Sequence, residues 1–329
     1  MSLPYRMIDV GTKPVTHRIA IAEGRFRASA AAFERIVNRT LPKGDVLSAC
    51  QIAGIQGAKR AHETIIFCHP LGLDHVEIIP EPEPDTHSIK ITCIASAHAK
   101  TGVEMEALAG VNAALLTLWD LTKMVEPALL ISDVRLLAKR GGKSGVWLHP
   151  DGVSEEIRQL IDPPAPRVLD GRRVAVITLS DRAHAGVYDD QSGAAIKTIL
   201  ADHGAEIADY RLIPDDADTL KATVSELARS GDLHLILLTG GTGAAPRDIT
   251  PDTLTPLFDR SITGIGELLR ADGAHYTPLS WSSRAVGGHI GTTLIITLPG
   301  SPRAVREGLS ALLPDLVPHL IRILNGDGK

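Results

Sequence analysis

Asp120 and Lys123 stand three residues apart in WDLTK (119–123), so on a helix they share a face. A partly desolvated carboxylate–ammonium pair passes protons in both directions, because burial and pairing draw the two pKa values toward the working range. On a solvated face the same spacing makes an ordinary surface ion pair. Further cationic groups sit in short motifs, Lys43 beside Gly44 and His69 beside Pro70. Glu104 and Glu106 are two apart and cannot point the same way on a helix. A shared role for them needs different subunits or a non-helical start. Cys68 precedes His69, but no CxxC completes a zinc site. RGGKSG (140–145) ends like a phosphate-binding loop, yet Leu137 occupies the position where that motif requires glycine. Its glycine pair and Lys143 are phosphate contacts or an exposed tail.

A second group lies further along. TGGTG (239–243) directly follows an apolar strand, and such a turn at the carboxyl end of a parallel strand is the usual ligand crevice of an open α/β sheet. Glycines there let backbone N–H groups approach phosphate. Pro246 removes the third glycine of a dinucleotide fingerprint. Arg247, Asp248 and Asp252 crowd the loop, and Asp215 and Asp216 follow another strand. Carboxylates beside a phosphate cradle repel an anion unless a cation intervenes, which points to Mg²⁺-dependent nucleotide chemistry. Asp215 and Asp216 also suit helix N-capping.

The elements that must position these groups differ between the halves. In the first, residues 44–61 and 103–125 read as helices, the second presenting Leu108, Val111, Leu115 and Leu118 to the core and stopped by Pro127. Residues 76–81 and 88–97 read as strands joined by the Pro-rich EPEPD turn. That layout is α+β, helices against an antiparallel sheet. In the second half, RVAVITL (173–179), EIADYRLI (206–213), LHLILL (233–238) and LIITL (294–298) read as strands. Helices follow from about Ser192 to Gly204, over 217–230, and after Ser301 and Pro302, good N-cap and N1 residues. Strand–helix alternation implies a three-layer α/β/α domain with a mostly parallel sheet. PPAP (163–166) marks a linker over 151–170 between domains at 1–150 and 171–329.

The totals agree with two cores: 329 residues, 44% hydrophobic and 22% charged. A net charge of −5 and 3% aromatics argue against nucleic acid as a partner. Three cysteines without repeated spacing fit a reducing compartment. No apolar run spans a bilayer and MSLPYRMIDVGTKP lacks a signal-peptide apolar region, so a cytoplasmic enzyme without membrane contact is expected.

Residues 8–145 resemble cyclic pyranopterin monophosphate synthase, through KPVTHRIAIAEG, KGDVLSACQIAGIQGAKR, CHPL, KTGVEMEAL, WDLTK and ISDVRLLAKRGGKSG in unbroken order. The resemblance implies a ferredoxin-like α+β fold and conversion of 3′,8-cyclo-7,8-dihydroguanosine triphosphate to cyclic pyranopterin monophosphate and pyrophosphate, with no cofactor. It implies Asp120 and Lys123 as the acid/base pair, assisted by Lys43 and His69. Arg18, Lys139 and Lys143 would hold phosphate, and Phe67, Cys68, Glu104, Met105 and Glu106 would line the pocket. In IIFCHPLGL the chain departs from the family, which more often has proline before the cysteine and before the final leucine. The family is hexameric with sites between subunits.

Residues 172–325 resemble a molybdopterin adenylyltransferase, through TLSDRAHAGVYDDQSG, IPDD, TGGTGAAPRDITPD, GIGE, SRAVGG and LPGSP. The implied reaction is attack of the molybdopterin phosphate on ATP, with Asp215 and Asp248 positioning Mg²⁺ and reactants. Gly240, Gly241, Thr242 and Gly243 would cradle phosphates, with Arg247 and Asp252 beside them, and Ser180, Asp181, Glu267, Gly300 and Ser301 would shape the pocket. His289 stands where arginine is common. Relatives of this fold also bind the pterin or act as scaffolds without catalysis. This second family is trimeric, so a fused homo-hexamer or trimer is compatible with both halves, and contact with other enzymes of the pathway is a further expectation.

Overall fold

A computed structural model describes residues 5–142 and 145–326. The chain divides into two units, Met1–Pro163 and Pro164–Lys329. No described helix is long and apolar enough to cross a membrane.

The first unit runs β1 (Thr16–Arg27), α1 (Ala30–Val37), α2 (Val46–Lys59), α3 (Ala61–Thr64), β2 (His75–Glu83), β3 (Ser88–Ala99), α4 (Glu104–Thr122), β4 (Leu130–Arg140), β5 (Val146–Leu148) and α5 (Glu155–Ile161). Its five strands form one antiparallel sheet in the order β2-β3-β1-β4-β5. Period-two alternation decides the faces. Ala20, Ala22 and Phe26 of β1 turn toward α1, α2 and α4, together with Ile91, Cys93 and Ala95 of β3. Ile19 and Ile21 turn the other way.

That other face corrects the linker. The expected linker over 151–170 is helical in part: α5, capped by Ser154, packs Ile157 and fully buried Ile161 against Ile19, Ile21 and Leu137. Val153, Ile157 and Ile161 recur every four residues, the spacing of one helical face. The unit boundary falls inside PPAP instead. A second difference is that α4 ends at Thr122, ahead of Pro127.

The seam between α2 and α4 is made of small residues. A Cβ on Gly54 would meet Ile78 at 2.7 Å and the Gly110 carbonyl oxygen at 3.1 Å; one on Gly110 would meet the Cys93 Sγ at 2.7 Å and the Gly54 carbonyl oxygen at 3.2 Å. The two backbones therefore cross in direct contact.

The second unit runs β6 (Arg173–Leu179), α6 (Asp181–His184), α7 (Gln191–Asp202), β7 (Glu206–Ile213), α8 (Ala217–Arg229), β8 (Leu235–Thr239), α9 (Thr250–Leu254), β9 (Arg260–Ser261), α10 (Thr263–Ala274), β10 (Gly287–Ile290), β11 (Thr293–Leu298), α11 (Pro302–Leu312) and α12 (Leu316–Leu324). The sheet order is β7-β6-β8-β11-β10-β9, parallel across its first four strands and antiparallel at β10 and β9. Alternate strand residues face opposite layers. Val174, Val176, Leu235 and Leu237 pack with α7, α10, α11 and α12, whereas Ala175, Ile177, Ile236 and Leu238 pack with α8 and α9. Strands buried on both faces explain the continuous apolar runs.

Substituting Gly54→Leu forces the helix seam apart and should destabilise the first unit by about 2 kcal/mol or more. In a thermal scan the first unit's transition is expected to fall while that of the second stays in place; an unchanged scan would show the seam to be loose.

Candidate functional site

In the first unit the candidate residues collect at the two ends of α4. Asp120 lies in its last turn and Lys123 is its C-cap. Lys123 Nζ sits 2.6 Å from Asp120 Oδ1. Lys43 Nζ donates to Asp120 Oδ2 at 2.9 Å and to the Asp120 carbonyl at 3.1 Å. Lys43 reaches there from the turn before α2, which Asp45 starts by accepting the Leu47 and Ser48 N–H groups. The desolvation expected of this pair is absent: the side chains of Lys43, Asp120 and Lys123 are 35%, 52% and 54% exposed. Instead of moving toward neutrality, the Asp120 carboxyl is held down at about 2 by its hydrogen bonds and charge interactions with Lys123 and Lys43.

At the other end the environment is reversed. Glu106 is 3% exposed. Its Oε1 accepts from the Cys68 thiol at 3.3 Å and its Oε2 has no partner. Burial pushes Glu106 above the ordinary carboxylate range. Burial and Glu106 together push the Cys68 thiol up to about 11. Glu104 points away from Glu106, as helix geometry requires, and pairs with Lys139 at 2.6 Å. Arg18 donates to the Ala99 carbonyl at 3.4 Å. His69 Nε2 lies 3.0 Å from the Ile8 carbonyl, and the rings of Phe67 and Tyr5 stack with centroids 6.2 Å apart. Met105 is exposed. Lys143 lies outside the described residues.

The two ends do not meet within one chain. Glu106 and Asp120 are fourteen positions apart on the helix, about 21 Å at 1.5 Å per residue.

The second unit does gather its candidates. A cleft of about 590 Å³ opens at the carboxyl ends of β6, β7 and β8 and is bordered by Ser180, Asp181, Asp215, Gly240, Gly241, Arg247, Asp248 and Gly300. Gly240 and Gly241 have φ of +106° and +63°, a region that only glycine enters without strain, and a Cβ on Gly300 would lie 3.5 Å from Gly240 Cα. The loops after β8 and β11 thus touch backbone to backbone. Thr250 fastens the first by donating to the Gly240 carbonyl at 2.9 Å, and Ser192 fastens the second by donating to the Gly300 carbonyl at 2.8 Å.

Asp181 and Asp215 each accept the other's backbone N–H, at 2.9 and 3.3 Å. Burial raises the Asp215 pKa and the charges of Asp181 and Asp248 add to the rise, against the Asp181 N–H and Arg247. Of the two neighbouring carboxylates it is Asp216 that caps a helix, α8, accepting the Thr219 N–H at 2.8 Å. Asp248 Oδ2 accepts the Ala245 N–H at 2.8 Å.

A second cavity of about 350 Å³ is bordered by Thr242, Gly243, Gly300 and Ser301. Gly300 therefore borders both cavities. Two expected residues border neither. Glu267 is exposed on α10. Asp252 is engaged by Arg284 Nη1 at 2.8 and 2.9 Å.

Arg284 is the residue that sequence reasoning passed over. It also donates to the Gly243 carbonyl at 2.8 Å and to the Asp248 carbonyl, and its N–H reaches the Thr242 carbonyl at 2.8 Å. One residue, through its guanidinium and its backbone N–H, thereby ties the loop 242–252 at four places. Its only sequence signal was its place in SRAVGG.

Comparison with known proteins matches residues 7–142 to the MoaC family and residues 175–319 to the family described as "Probable molybdopterin binding domain". The molybdenum cofactor biosynthesis bifunctional protein of Synechococcus elongatus is 43% identical over 321 residues, 97% of this chain and 98% of its own. The protein of the same name from Chlorobaculum tepidum is 37% identical over 324 residues, 98% of this chain and 96% of its own. The cyclic pyranopterin monophosphate synthase of Desulforapulum autotrophicum is 47% identical over 143 residues, 44% of this chain and 88% of its own.

A carboxyl with a lowered folded-state pKa adds stability above its ordinary value, 3.8 for Asp120, which is lost as pH falls toward 2. Carboxyl NMR should show Asp120 titrating near 2 and moving upward in Lys123→Ala; a wild-type midpoint at the ordinary value would rule out the cluster. Arg284→Ala should speed hydrogen exchange at the Ala245 and Thr250 amides while leaving those of β8 and β11 protected. Uniform protection across the loop would mean that Arg284 does not hold it.

Proposed function

The chain belongs to the molybdenum cofactor biosynthesis bifunctional proteins, and we propose that its two units carry two separate reactions of that pathway. The first, which we take to be ferredoxin-like, rearranges 3′,8-cyclo-7,8-dihydroguanosine triphosphate to cyclic pyranopterin monophosphate and releases pyrophosphate. The supporting observation is one carboxylate held between two ammonium groups, Asp120 between Lys43 and Lys123. Ring opening and pyran closure require protons to be delivered and removed. A carboxyl held at about 2 carries no proton near neutrality, so the protons reside on the lysine Nζ atoms. When Lys123 gives its proton to the substrate, Asp120 loses a cationic partner and its own affinity for a proton rises. His69 assists, while Arg18, Lys139 and Lys143 offset triphosphate charge. Phe67, Cys68, Glu104, Met105 and Glu106 wall the substrate. Because α4 keeps its ends about 21 Å apart, a complete site draws one end from each of two copies, in a hexamer or trimer.

The second unit adenylylates molybdopterin. A phosphate oxygen of the pterin attacks the α-phosphorus of ATP, the bond to the β-phosphate breaks, and pyrophosphate leaves. The supporting observation is the convergence of Asp215, Asp248 and Arg247 on the Gly240–Gly241 turn. Mg²⁺ takes one or two carboxylates plus substrate phosphates, which fits two aspartates at one cleft; among the described residues no group of three or more ligating side chains stands ready without a ligand. Bound there, the ion would neutralise phosphate charge. Arg247 and the loop amides hold the leaving phosphates, Asp181 keeps Asp215 in place, and the adjoining cavity at Thr242, Gly243 and Ser301 gives room for the second reactant. On this reading the protein works in the cytoplasm.

Complementation of strains lacking either the synthase or the adenylyltransferase tests both readings, with molybdoenzyme activity as the signal. The full chain should rescue both. Asp120→Asn and Lys123→Ala should lose only the first rescue, and Asp248→Asn only the second. Failure of the wild-type chain in the second strain alone would leave that unit a pterin-binding or scaffold module.

A further inference from the structure

The cleft of the second unit is bordered by a single aromatic side chain, Tyr188, on the segment between α6 and α7. Its hydroxyl and the Ser180 Oγ share a hydrogen bond of 2.9 Å. Ser180 is itself fixed, because its Oγ accepts the Ala183 N–H at 3.2 Å as the cap of α6. The Arg182 guanidinium lies 5.2 Å from the ring centroid. The polar tip of the ring is thus tied to the sheet edge, yet the residue remains 48% exposed. A tyrosine present only to fill space is buried; this one is fixed by Ser180 at its hydroxyl, carries the Arg182 guanidinium over one face, and still reaches solvent at the cleft.

The phosphate-handling groups leave this ring unused. Gly240, Gly241, Arg247 and the two aspartates account for phosphates and a cation. A purine and a pterin share one further chemistry, a planar nitrogen heterocycle, which gains most from a rigid aromatic face or guanidinium plane held beside an anion seat. We infer that Tyr188 and Arg182 form a ring-recognition element. The heterocycle stacks on the tyrosine, and its phosphates extend to Arg247 and the Gly240–Gly241 turn. This inference rests on the reading of the cleft as a phosphate-ester site.

Calorimetric titration of the full chain with Mg-ATP, a pterin monophosphate and inorganic tripolyphosphate separates ring from phosphate. Tyr188→Ala should weaken a ring-bearing probe about tenfold, the effect of one base–aromatic stack, and leave tripolyphosphate unchanged. Tyr188→Phe keeps the ring but loses the tie to Ser180, and should bind the ring-bearing probe more tightly than Tyr188→Ala and no more tightly than wild type; binding as weak as in Tyr188→Ala would count against stacking on the ring. Arg247→Ala should weaken ATP and tripolyphosphate together. Loss confined to ATP assigns the seat to a purine, and loss confined to the pterin assigns it to a pterin. Equal loss for tripolyphosphate, or no loss for any probe, overturns the inference while the phosphate cradle stands. Absence of binding by every probe to the wild-type chain overturns the cleft reading and the inference together.

Discussion

The crossing of α2 and α4 at Gly54 and Gly110 is the contact on which the first unit depends. No side chain separates the two backbones there, so α4 has no room to tilt or slide toward α2. A helix held in that way is a fixed ruler. It carries two carboxylates in opposite electrostatic states. Asp120 is drawn down by two lysines at an exposed end, where cations also complement the helix dipole. Glu106 is pushed up by burial even though it sits in the first turn, where the same dipole favours a negative charge. Desolvation outweighs the dipole at Glu106, and pairing outweighs everything else at Asp120.

The second unit solves the assembly of a site differently. Parallel strands all end at one edge, so their following loops meet there without any long helix to carry the residues. Ser180 follows β6, Asp215 follows β7, Gly240 follows β8 and Gly300 follows β11. Residues separated by up to 120 positions, such as Ser180 and Gly300, border one cleft because the strands between them lie side by side. The backbone contact between the Gly240 and Gly300 loops brings two sides of that cleft together, and Arg284 fastens the loop that carries Arg247 and Asp248.

Much of this was readable before any coordinates. The continuous apolar runs at 173–179 and 294–298, the Ser301-Pro302 helix start and the left-handed Gly204 each follow from local rules, and each stands in the structure at or within a residue of its expected place. The Asp120–Lys123 pair also follows from helical spacing alone. What escaped was long-range: α5 looked like linker because it turns only Ile157 and Ile161 to the sheet, with Val153 ahead of it, and Arg284 looked like one more motif residue because its four partners lie 32 to 42 positions away.

Sequence by itself determined which residue types are available for chemistry, the strongly patterned elements such as α2, α4, β6 and β11, and that two separate cores exist, since these depend on residue type and on spacings of two to four; the central strand β1, together with β4 and α5, was not among them. Tertiary structure alone decided the environment of each group. It left the Asp120 cluster in solvent, buried Glu106, engaged Asp252 with Arg284 and turned Glu267 away from both cavities. Solvent exposure and charge neighbours are set by chain segments that meet only when the sheet closes, and the spacing along one segment carries no record of them.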